Sequence, residues 1–378
     1  MNILINGITL ENANLTPLLI NTNYWQSKGC QITFIGNQTL KRKIQKLNII
    51  SNFNFIQINH TKKITTKTQL ITQGLKRNIQ ALKKIPQIKG RFNIIHSRSS
   101  VLDLIIFPFI LKLIDKKIKW STVFDNTVPP RPFFPHLLFR ISLILLKKTD
   151  LIFTISPSLK RYLVRKNFQN SKIIVTGNGL ETDLIKSSKN DPKLNFQAVF
   201  IGRIHQAKGI FDLIKILQII KHKIPKFQLA IMGQGDSATK TKFKKAITKA
   251  GLNSNIHLLG TQTGKRKFQI IKSSKIFIFP SYNESFGIAL LEAVCCGLPA
   301  FTYNLPAYKN IYKNHEIHIF PIGNYQKLAQ AIIKAIKNKN FTNNQGKLLL
   351  NKYSWKKIAQ IEYHSLSKLI WNPSSPTA

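Results

Sequence analysis

The chain has 378 residues, with 58 Lys and Arg against 14 Asp and Glu, so its formal net charge is +44 when histidine is neutral. Hydrophobic residues make up 43% and aromatic residues 10%, which excludes a mainly disordered chain, and the length indicates two domains. The charge points to an anionic partner, either nucleic acid, lipid headgroups or a phosphate-bearing ligand, although a codon bias toward Lys, Asn and Ile would also raise the lysine content.

Short β-rich runs alternate with longer helical patterns along the whole chain, as is typical of βαβ units and of parallel sheets covered by helices. In the first half the predicted strands are Ile3–Asn6, Gln31–Ile35, Asn54–Ile58, Asn93–His96, Lys119–Phe124, Leu151–Ile155 and Ile173–Val175.

The same pattern restarts after residues 186–193, KSSKNDPK, which are polar and turn-prone and are predicted to link two domains. The sequence therefore predicts two doubly wound α/β domains, which bind ligands beyond the carboxyl ends of their strands and would face each other across an interdomain cleft. The predicted strands are Ala198–Ile201, Gln228–Met232, Ile256–Leu259, Ile276–Pro280 and Ala300–Tyr303, and the helices are Ile210–Lys223, Lys240–Ala250, Lys265–Ser273 and Ile288–Cys296.

The cysteines and the apolar runs bear on the cellular setting. Cys30, Cys295 and Cys296 form no recognisable disulfide framework or metal-ligand spacing, which fits a reducing cytoplasm. The first residues, MNILINGITL, lack a basic segment before their apolar stretch and are predicted to form a strand, not a signal peptide. Residues 101–114 and 137–146 are apolar but too short and too interrupted to span a bilayer. We expect buried helices there; the alternative is a helix lying on a membrane surface.

The most informative segment is FPSYNESFGIALLEAVCCGLPA, residues 279–300, because it carries two of only 14 acidic residues. Glu284 precedes a predicted helix start, and Glu292 follows about two helical turns later. Backbone N–H groups of residues 285–288 would be free there to bind anionic or hydroxyl oxygens, and Gly287 permits close approach of a ligand. Alternatively, Glu284 is a helix cap and Glu292 lies on a solvated face.

A second candidate segment is FIGRIHQAKGIFDLI, residues 200–214, in which a strand is followed by Arg203 and a helix begins after Lys208. Arg can bridge two phosphate oxygens and Lys adds a mobile point charge, so the pair suits a diphosphate. In a chain so rich in lysine, Lys208 is alternatively one more surface residue. Gly233 in IMGQGD adds less, since a lone Gly-x-Gly is more often a tight turn than a ligand contact.

Polar residues also follow two predicted strands in the first half. The segments HSRSS and FDN place His96, Arg98, Ser99 and Asp125 at the mouth of the first sheet. A lone histidine at a strand end is usually structural, so a direct role for His96 competes with a structural one.

These motifs resemble the retaining glycosyltransferases of family 4, which have the GT-B fold of two facing Rossmann-like domains. The similarity runs through GRIHQAKG, IMGQGD, IHLLG, SSKIFIFPSYNESFGIALLEAVCCGLPA and FPIGNYQKLAQAI, and Glu284 and Glu292 have the family's Glu-x7-Glu spacing. SPSLKRYL and GNGLETDLI are similar to segments of the first domain, with Glu181 in place of the usual Asp. YSWKKIAQIEYHSLSKLI resembles the family's closing helix.

Together with the element pattern, the resemblance implies five parts of the chain. They are an acceptor-binding domain (1–185), a linker (186–193), a donor-binding domain (194–352), a closing helix that crosses back to the first domain (353–370) and a disordered tail (371–378).

The resemblance also implies roles for individual residues. Arg203 and Lys208 would bind the donor diphosphate, Glu292 the ribose hydroxyls and Glu284 the donor sugar, and no metal or separate cofactor is expected. Arg203, Lys208 and Glu284 are the catalytic candidates, together with His96. The donor-binding set is Arg203, Lys208, Gly233, Glu284, Ser285, Phe286, Gly287, Ile288 and Glu292, and the acceptor set is His96, Arg98, Ser99 and Asp125.

The chain departs from the family pattern mainly on the acceptor side. GITLENANL follows the first strand without the glycine pair that many members carry, and Asp125 or Asn126 stands where the family often has His. The usual Glu after Gly-x-Pro is replaced near Lys309 and Asn310. The donor contacts survive these changes better than the acceptor contacts.

The leading interpretation is a cytoplasmic glycosyltransferase, peripheral on the inner face of the membrane. It would use a nucleotide-diphosphate sugar and a lipid-linked or cell-envelope acceptor, of lipopolysaccharide or glycolipid type. The alternative is a non-catalytic basic member that serves as a membrane or nucleic-acid adaptor, although no recognised nucleic-acid motif is present. A third possibility is another GT-B enzyme such as a nucleotide-sugar epimerase, against which the Glu-x7-Glu segment argues.

Overall fold

A computed structural model describes residues 1–59, 67–309, 311–312, 317–338 and 346–371 of the chain. Contacts divide the chain into two compact units, one formed by Met1–Gly179 with the chain from Trp355 onward and the other by Leu180–Ser354. The division thus lies before the expected boundary at residue 185, and residues 186–193 lie within the second unit. Of the predicted tail, residues 372–378 lie outside the described part.

Each unit is built on one parallel sheet. Strand order is β3-β2-β1-β4-β5-β6-β7 in the first sheet and β10-β9-β8-β11-β12-β13 in the second. The strands are β1 Asn2–Asn6, β2 Gln31–Gly36, β3 Asn54–Gln57, β4 Ile94–Ser97, β5 Lys119–Phe124, β6 Leu151–Thr154, β7 Ile173–Val175, β8 Phe196–Ile201, β9 Leu229–Met232, β10 Ile256–Gly260, β11 Ser274–Phe279, β12 Ala300–Tyr303 and β13 Ile317–Phe320.

The helices connect successive strands and pack on the sheets. Among them, α15 returns to the first unit and packs on α1. The helices are α1 Thr16–Ser27, α2 Gln38–Leu47, α3 Lys67–Leu82, α4 Ile85–Ile88, α5 Leu102–Ile114, α6 Phe133–Leu146, α7 Pro157–Arg165, α8 Thr182–Ser187, α9 Ile210–Lys223, α10 Ser237–Lys249, α11 Gly264–Lys272, α12 Ile288–Cys295, α13 Tyr325–Lys337, α14 Gly346–Lys352 and α15 Trp355–Trp371.

Strand composition explains this architecture. Strands covered by helices on both faces read as continuous apolar runs, and all four residues of β12, Ala-Phe-Thr-Tyr, are buried. Helix α9 buries Ile210, Leu213, Leu217 and Ile220, whose spacing of three and four residues forms one helix face.

Strand order reverses next to the first strand of each unit, between β1 and β4 and between β8 and β11. Ligands of doubly wound sheets bind at this switch point, beyond the carboxyl ends of the strands. The segments that follow β8 and β11 are therefore the first place to look for a site in the second unit.

Candidate functional site

Glu284 lies in the loop between β11 and α12, where two neighbours fix its carboxylate. Lys208 Nζ is 2.5 Å from Glu284 Oε1, and Ser281 Oγ donates a hydrogen bond of 3.1 Å to the same oxygen. Both charged side chains are largely buried, with 17% of Lys208 and 11% of Glu284 exposed. Lys208 Nζ also donates to the carbonyl of Asn283 at 3.3 Å, which leaves a third N–H for a ligand.

Lys208 is positioned by a close backbone approach. It ends a 3-10 turn, Gln206–Lys208, and is followed by Gly209 with a φ of +69°. A Cβ on Gly209 would lie 1.9 Å from the carbonyl oxygen of Pro280, at the end of β11. Only glycine fits, so this contact holds the lysine beside the loop that carries Glu284.

The N-terminus of α12 lies directly after this loop. Gly287 begins the helix with a φ of +82°, and no side chain caps the first turn. Phe286 is buried against Tyr353, with ring centroids 5.5 Å apart, whereas Ile288 is 38% exposed. The uncapped N–H groups and the positive end of the helix dipole form a place where an oxygen anion is stabilised.

Glu292 lies on α12 and is only 7% exposed. Burial raises the pKa of its carboxyl, and the charge of Lys267 opposes that shift. Lys267 Nζ lies 2.6 Å from Glu292 Oε1 and 3.8 Å from Glu181 Oε2. A buried carboxylate held by one lysine can still accept hydrogen bonds from two neighbouring hydroxyls, as a ribose would offer.

Arg203 and Gly233 follow the neighbouring strands β8 and β9. Arg203 is exposed, and its side chain has no hydrogen bond or ion pair within the described ranges. Gly233 is packed on protein backbone, because a Cβ there would lie 1.8 Å from the carbonyl oxygen of Gly202. The glycine thus serves the close approach of two strand ends, and this geometry explains its presence without a ligand contact.

Sequence analysis did not identify a hydrogen-bonded cluster beside the Glu284 loop. Asp212 Oδ2 accepts from the hydroxyl of Tyr282 at 2.5 Å and from that of Tyr303 at 2.7 Å. The bond to Asp212 and burial raise the pKa of Tyr282 to about 12. The cluster anchors the loop to α9 and β12. Asp212 and Tyr282 both lie within segments quoted above. Because acidic residues are scarce in this chain, the sequence could have indicated Asp212 as a candidate. No sequence signal indicated Tyr303.

In the first unit the structure places His96 inside the sheet. It is 1% exposed, its Nδ1 lies 3.0 Å from Ser121 Oγ, and its ring packs edge-on against Trp25. Burial lowers the pKa of the imidazole to about 3, with a contribution from Arg98. This geometry is that of a neutral core histidine; it offers no surface to a substrate.

The other acceptor-side candidates lie at the carboxyl ends of β4 and β5. Arg98, Ser99 and Asp125 are half-buried. Burial raises the pKa of the Asp125 carboxyl, and the positive charge of Arg98 opposes part of that rise. Glu362 on α15 belongs to the same electrostatic group. Burial raises the pKa of Glu362 to about 7, opposed by Arg98 and by a hydrogen bond of 2.7 Å from Asn21.

Among the residues that the structure describes, no three His, Cys, Asp or Glu side chains come together as a metal-binding group. Within the same ranges, every helix is too short or too polar to cross a membrane.

Residues 163–348 match the sequence model of the family described as glycosyl transferases group 1. An uncharacterized glycosyltransferase of Methanocaldococcus jannaschii is 26% identical over 247 residues, which cover 61% of this chain and 62% of the relative. A phosphatidyl-myo-inositol mannosyltransferase of Mycobacterium leprae is 27% identical over 191 residues, 48% of this chain and 50% of the relative. The chain thus spans less than two thirds of the length of either relative.

The fold is also found in solved structures. The Anabaena protein HepE in complex with UDP and glucose has a TM-score of 0.76 at 16% sequence identity, covering 97% of this chain and 99% of that one. At this identity the likeness shows the fold alone, which is the GT-B type with two parallel α/β sheets.

Proposed function

We propose, because the chain belongs to the glycosyl transferases group 1 family, that it transfers a sugar from a nucleotide-diphosphate sugar to a lipid-linked or cell-envelope glycan, with retention of configuration. The carrying observation is the Lys208–Glu284 pair beside the uncapped start of α12, which brings a cation, a carboxylate and free N–H groups to one strand end. A diphosphate and a sugar hydroxyl need these groups together.

In the proposed mechanism the bond between the anomeric carbon and the diphosphate oxygen breaks through an oxocarbenium-like transition state. The acceptor hydroxyl oxygen bonds to the same face of that carbon, and its proton passes to the departing diphosphate oxygen. The departing diphosphate gains negative charge, which Arg203, Lys208 and the N–H groups of α12 would stabilise. Each preorganised donor of this kind is worth about 3–4 kcal/mol.

The two carboxylates have different proposed tasks. Glu284 accepts hydrogen bonds from hydroxyls of the donor sugar, and its pairing with Lys208 aligns the lysine before the donor arrives. Glu292 accepts from the ribose hydroxyls. Ser285, Phe286, Gly287 and Ile288 contribute backbone to the same pocket.

A lipid-linked acceptor is supported by charge and by kinship. The Mycobacterium leprae relative is by its name a mannosyltransferase of phosphatidyl-myo-inositol. A net charge of +44 favours an anionic membrane surface, where each basic residue contributes about 1 kcal/mol. We therefore place the protein at the inner face of the cytoplasmic membrane, with Arg98, Ser99 and Asp125 on the acceptor side and His96 supporting them from the core.

The test is donor turnover by Glu284→Gln and Arg203→Ala, with the exposed Arg42→Ala as a matched control for lost charge. Both site variants should lose about 100-fold or more in kcat/KM, while the control keeps wild-type turnover. UDP-glucose, GDP-mannose and UDP-N-acetylglucosamine are screened first by thermal shift. A donor at 100 times its Kd stabilises by about 2.7 kcal/mol.

Unchanged turnover in both site variants would refute the assignment. Nucleic-acid binding at physiological salt, with no protection by any nucleotide sugar, would favour the non-catalytic adaptor instead.

A further inference from the structure

Helix α6 exposes an apolar face to solvent. Phe133 is 74% exposed and Ile144 is 66% exposed, and Leu137 and Ile141 lie between them at 38% and 37%. These four residues are spaced by four, four and three positions, which places them on one side of the helix. The opposite side is buried through Phe139, Leu143 and Leu146. A surface helix normally exposes polar residues to solvent, so an exposed face made of apolar side chains is unusual.

Cations border the apolar face, and acids are absent from this part of the sequence. Arg140 and Lys147 fall on the edge of the exposed side by helical spacing, and Lys148 follows the helix end; all three are exposed. The sequence from 126 to 149 contains no Asp or Glu. Apolar groups flanked by long cationic side chains match the chemistry of an anionic lipid surface, where the stems lie along hydrocarbon and the charges reach phosphate.

A cavity of about 480 Å³ opens beside this helix. Leu102 and Ile106 of α5 and Leu138 of α6 line it, and its rim carries Leu75 and Val101, which are 50% and 52% exposed. Asp125 also lines the cavity, so an apolar chain inside it would end near the proposed acceptor side. The volume lies in the range of pockets that hold small ligands.

We propose that α6 docks on an anionic phospholipid bilayer and that the cavity between α3, α5 and α6 holds a hydrocarbon chain of a membrane lipid. The inference rests on the proposed function, for which it names the acceptor class: a lipid whose chain enters the cavity and whose head reaches Asp125. The exposed apolar face supplies burial in the interface, and the cations supply attraction to its headgroups.

The docking part is tested by sedimentation with vesicles of phosphatidylcholine containing one third phosphatidylglycerol. Ile144→Glu, at a 66% exposed site, should weaken binding roughly tenfold or more. Leu348→Glu on α14, where leucine is 71% exposed, is the matched control and should bind as wild type does. Phe133→Ser provides a second site without added charge and should also weaken binding. Equal binding by Ile144→Glu, Phe133→Ser and Leu348→Glu would overturn the docking surface.

The cavity part is tested in solution with 11-(dansylamino)undecanoic acid, a fluorescent probe with a single hydrocarbon chain. Wild type should enhance and blue-shift its emission, and dodecanol should displace it while inorganic phosphate should not. Val101→Trp narrows the mouth and should weaken probe binding about fivefold or more, whereas Val101→Ala should not. Absence of binding, displacement by phosphate alone, or equal affinity in both variants would overturn the cavity assignment.

Different measurements test the sugar transfer and the lipid contacts. The proposed function is refuted if no nucleotide sugar stabilises the protein and Glu284→Gln leaves turnover unchanged, whether or not the protein binds vesicles. The lipid contacts are refuted separately if nucleotide sugars still stabilise the protein but substitutions in α6 do not change vesicle binding and substitutions of Val101 do not change probe binding.

Discussion

At the scale of single residues, each candidate site carboxylate of the second unit is held by a lysine. Glu284 is paired with Lys208 and Glu292 with Lys267, and all four side chains are less than one fifth exposed. Burying a carboxylate alone would cost several kcal/mol, and the nearby cation offsets that cost. The pairs therefore hold both side chains in place before a ligand binds.

The scarce acids could be identified from the sequence, but their partners could not. The chain has only 14 acidic residues, so two of them within one motif are conspicuous. Lys267, in contrast, is one of the 58 Lys and Arg residues of the chain, and it lies in a helix that contains no recognised motif. Ser281 was similarly hidden, although it lies inside the quoted segment, because its role depends on how the loop folds back to 3.1 Å from Glu284.

The buried imidazole of His96 makes the stability of the protein depend on pH. Its pKa is about 3 in the folded chain, far below the usual value of about 6.5, because burial disfavours the charged form. Below pH 6.5 the unfolded chain therefore binds a proton that the folded chain does not. Stability contributed by this group is complete above pH 6.5 and is lost at about 1.4 kcal/mol per pH unit as pH falls toward 3.

Urea unfolding at pH 7 and pH 5 should therefore show a smaller pH dependence for His96→Gln than for wild type, by about 2 kcal/mol. The exposed His222→Gln is the matched control and should keep the wild-type dependence. If His96→Gln also keeps it, while sugar transfer is lost, the core assignment is wrong and the histidine acts on the acceptor.

At the scale of elements, a glycine turn joins α9 to the end of β11. Gly209 and Gly251 both have a left-handed backbone, with φ of +69° and +67°. They differ in their surroundings, because a Cβ at Gly209 would lie 1.9 Å from the Pro280 oxygen, whereas at Gly251 the nearest atom is Lys221 Nζ at 3.9 Å. Comparing alanine substitutions at the two glycines therefore distinguishes the cost of backbone strain, present at both, from the cost of steric conflict, present only at Gly209.

We expect Gly251→Ala to lose about 1–2 kcal/mol of unfolding free energy, from strain alone, and Gly209→Ala to lose about 3 kcal/mol or more. Gly209→Ala should also weaken nucleotide-sugar binding, because the turn carries Lys208. Urea unfolding and thermal shift with the donor measure the two effects. Equal losses in both variants would show that Pro280 does not constrain the turn.

The bounds of several elements could be predicted from the sequence. The predicted bounds of β5, β7, β12 and α9 are confirmed. In α9, apolar residues recur at helical spacing from the first residue, Ile210. Helix α10 begins at Ser237 and not at Lys240, because Asp236 caps it by accepting from the N–H of Thr239 at 2.8 Å. That signal was present in the sequence but lies ahead of the apolar residues.

Other elements depended on tertiary contacts. Strand β13 was not predicted, because its four residues are only partly buried and find their place by pairing with β12. The predicted linker also acquires structure from its surroundings. Ser188 accepts from Lys272 Nζ at 2.7 Å through its carbonyl, and Asp191 pairs with Arg266 at 2.7 Å. Polar composition alone could not reveal these partners.

At the scale of the whole molecule, like charge opposes folding. The chain carries a net charge of +44. The attraction within exposed ion pairs offsets little of the repulsion that results from this charge. Within the described ranges, the pairs with a half-exposed cation are Lys215–Asp212 and Arg266–Asp191. Each such pair is worth about 0–1 kcal/mol, so weakening them with salt removes little stability. Screening the repulsion among dozens of surface cations within each unit should remove a larger penalty.

We therefore expect the protein to become more stable as NaCl rises from 10 mM to 0.1 M, which shortens the Debye length from about 30 Å to about 10 Å. Each kcal/mol gained should raise the Tm by about 2–4 °C for units of this size. Differential scanning calorimetry without nucleotide or lipid measures the change. KCl should act as NaCl does, because screening depends on ionic strength and not on the cation. A Tm that falls with salt would mean that attractive pairs outweigh repulsion, and that the cations are already neutralised by contacts within the fold.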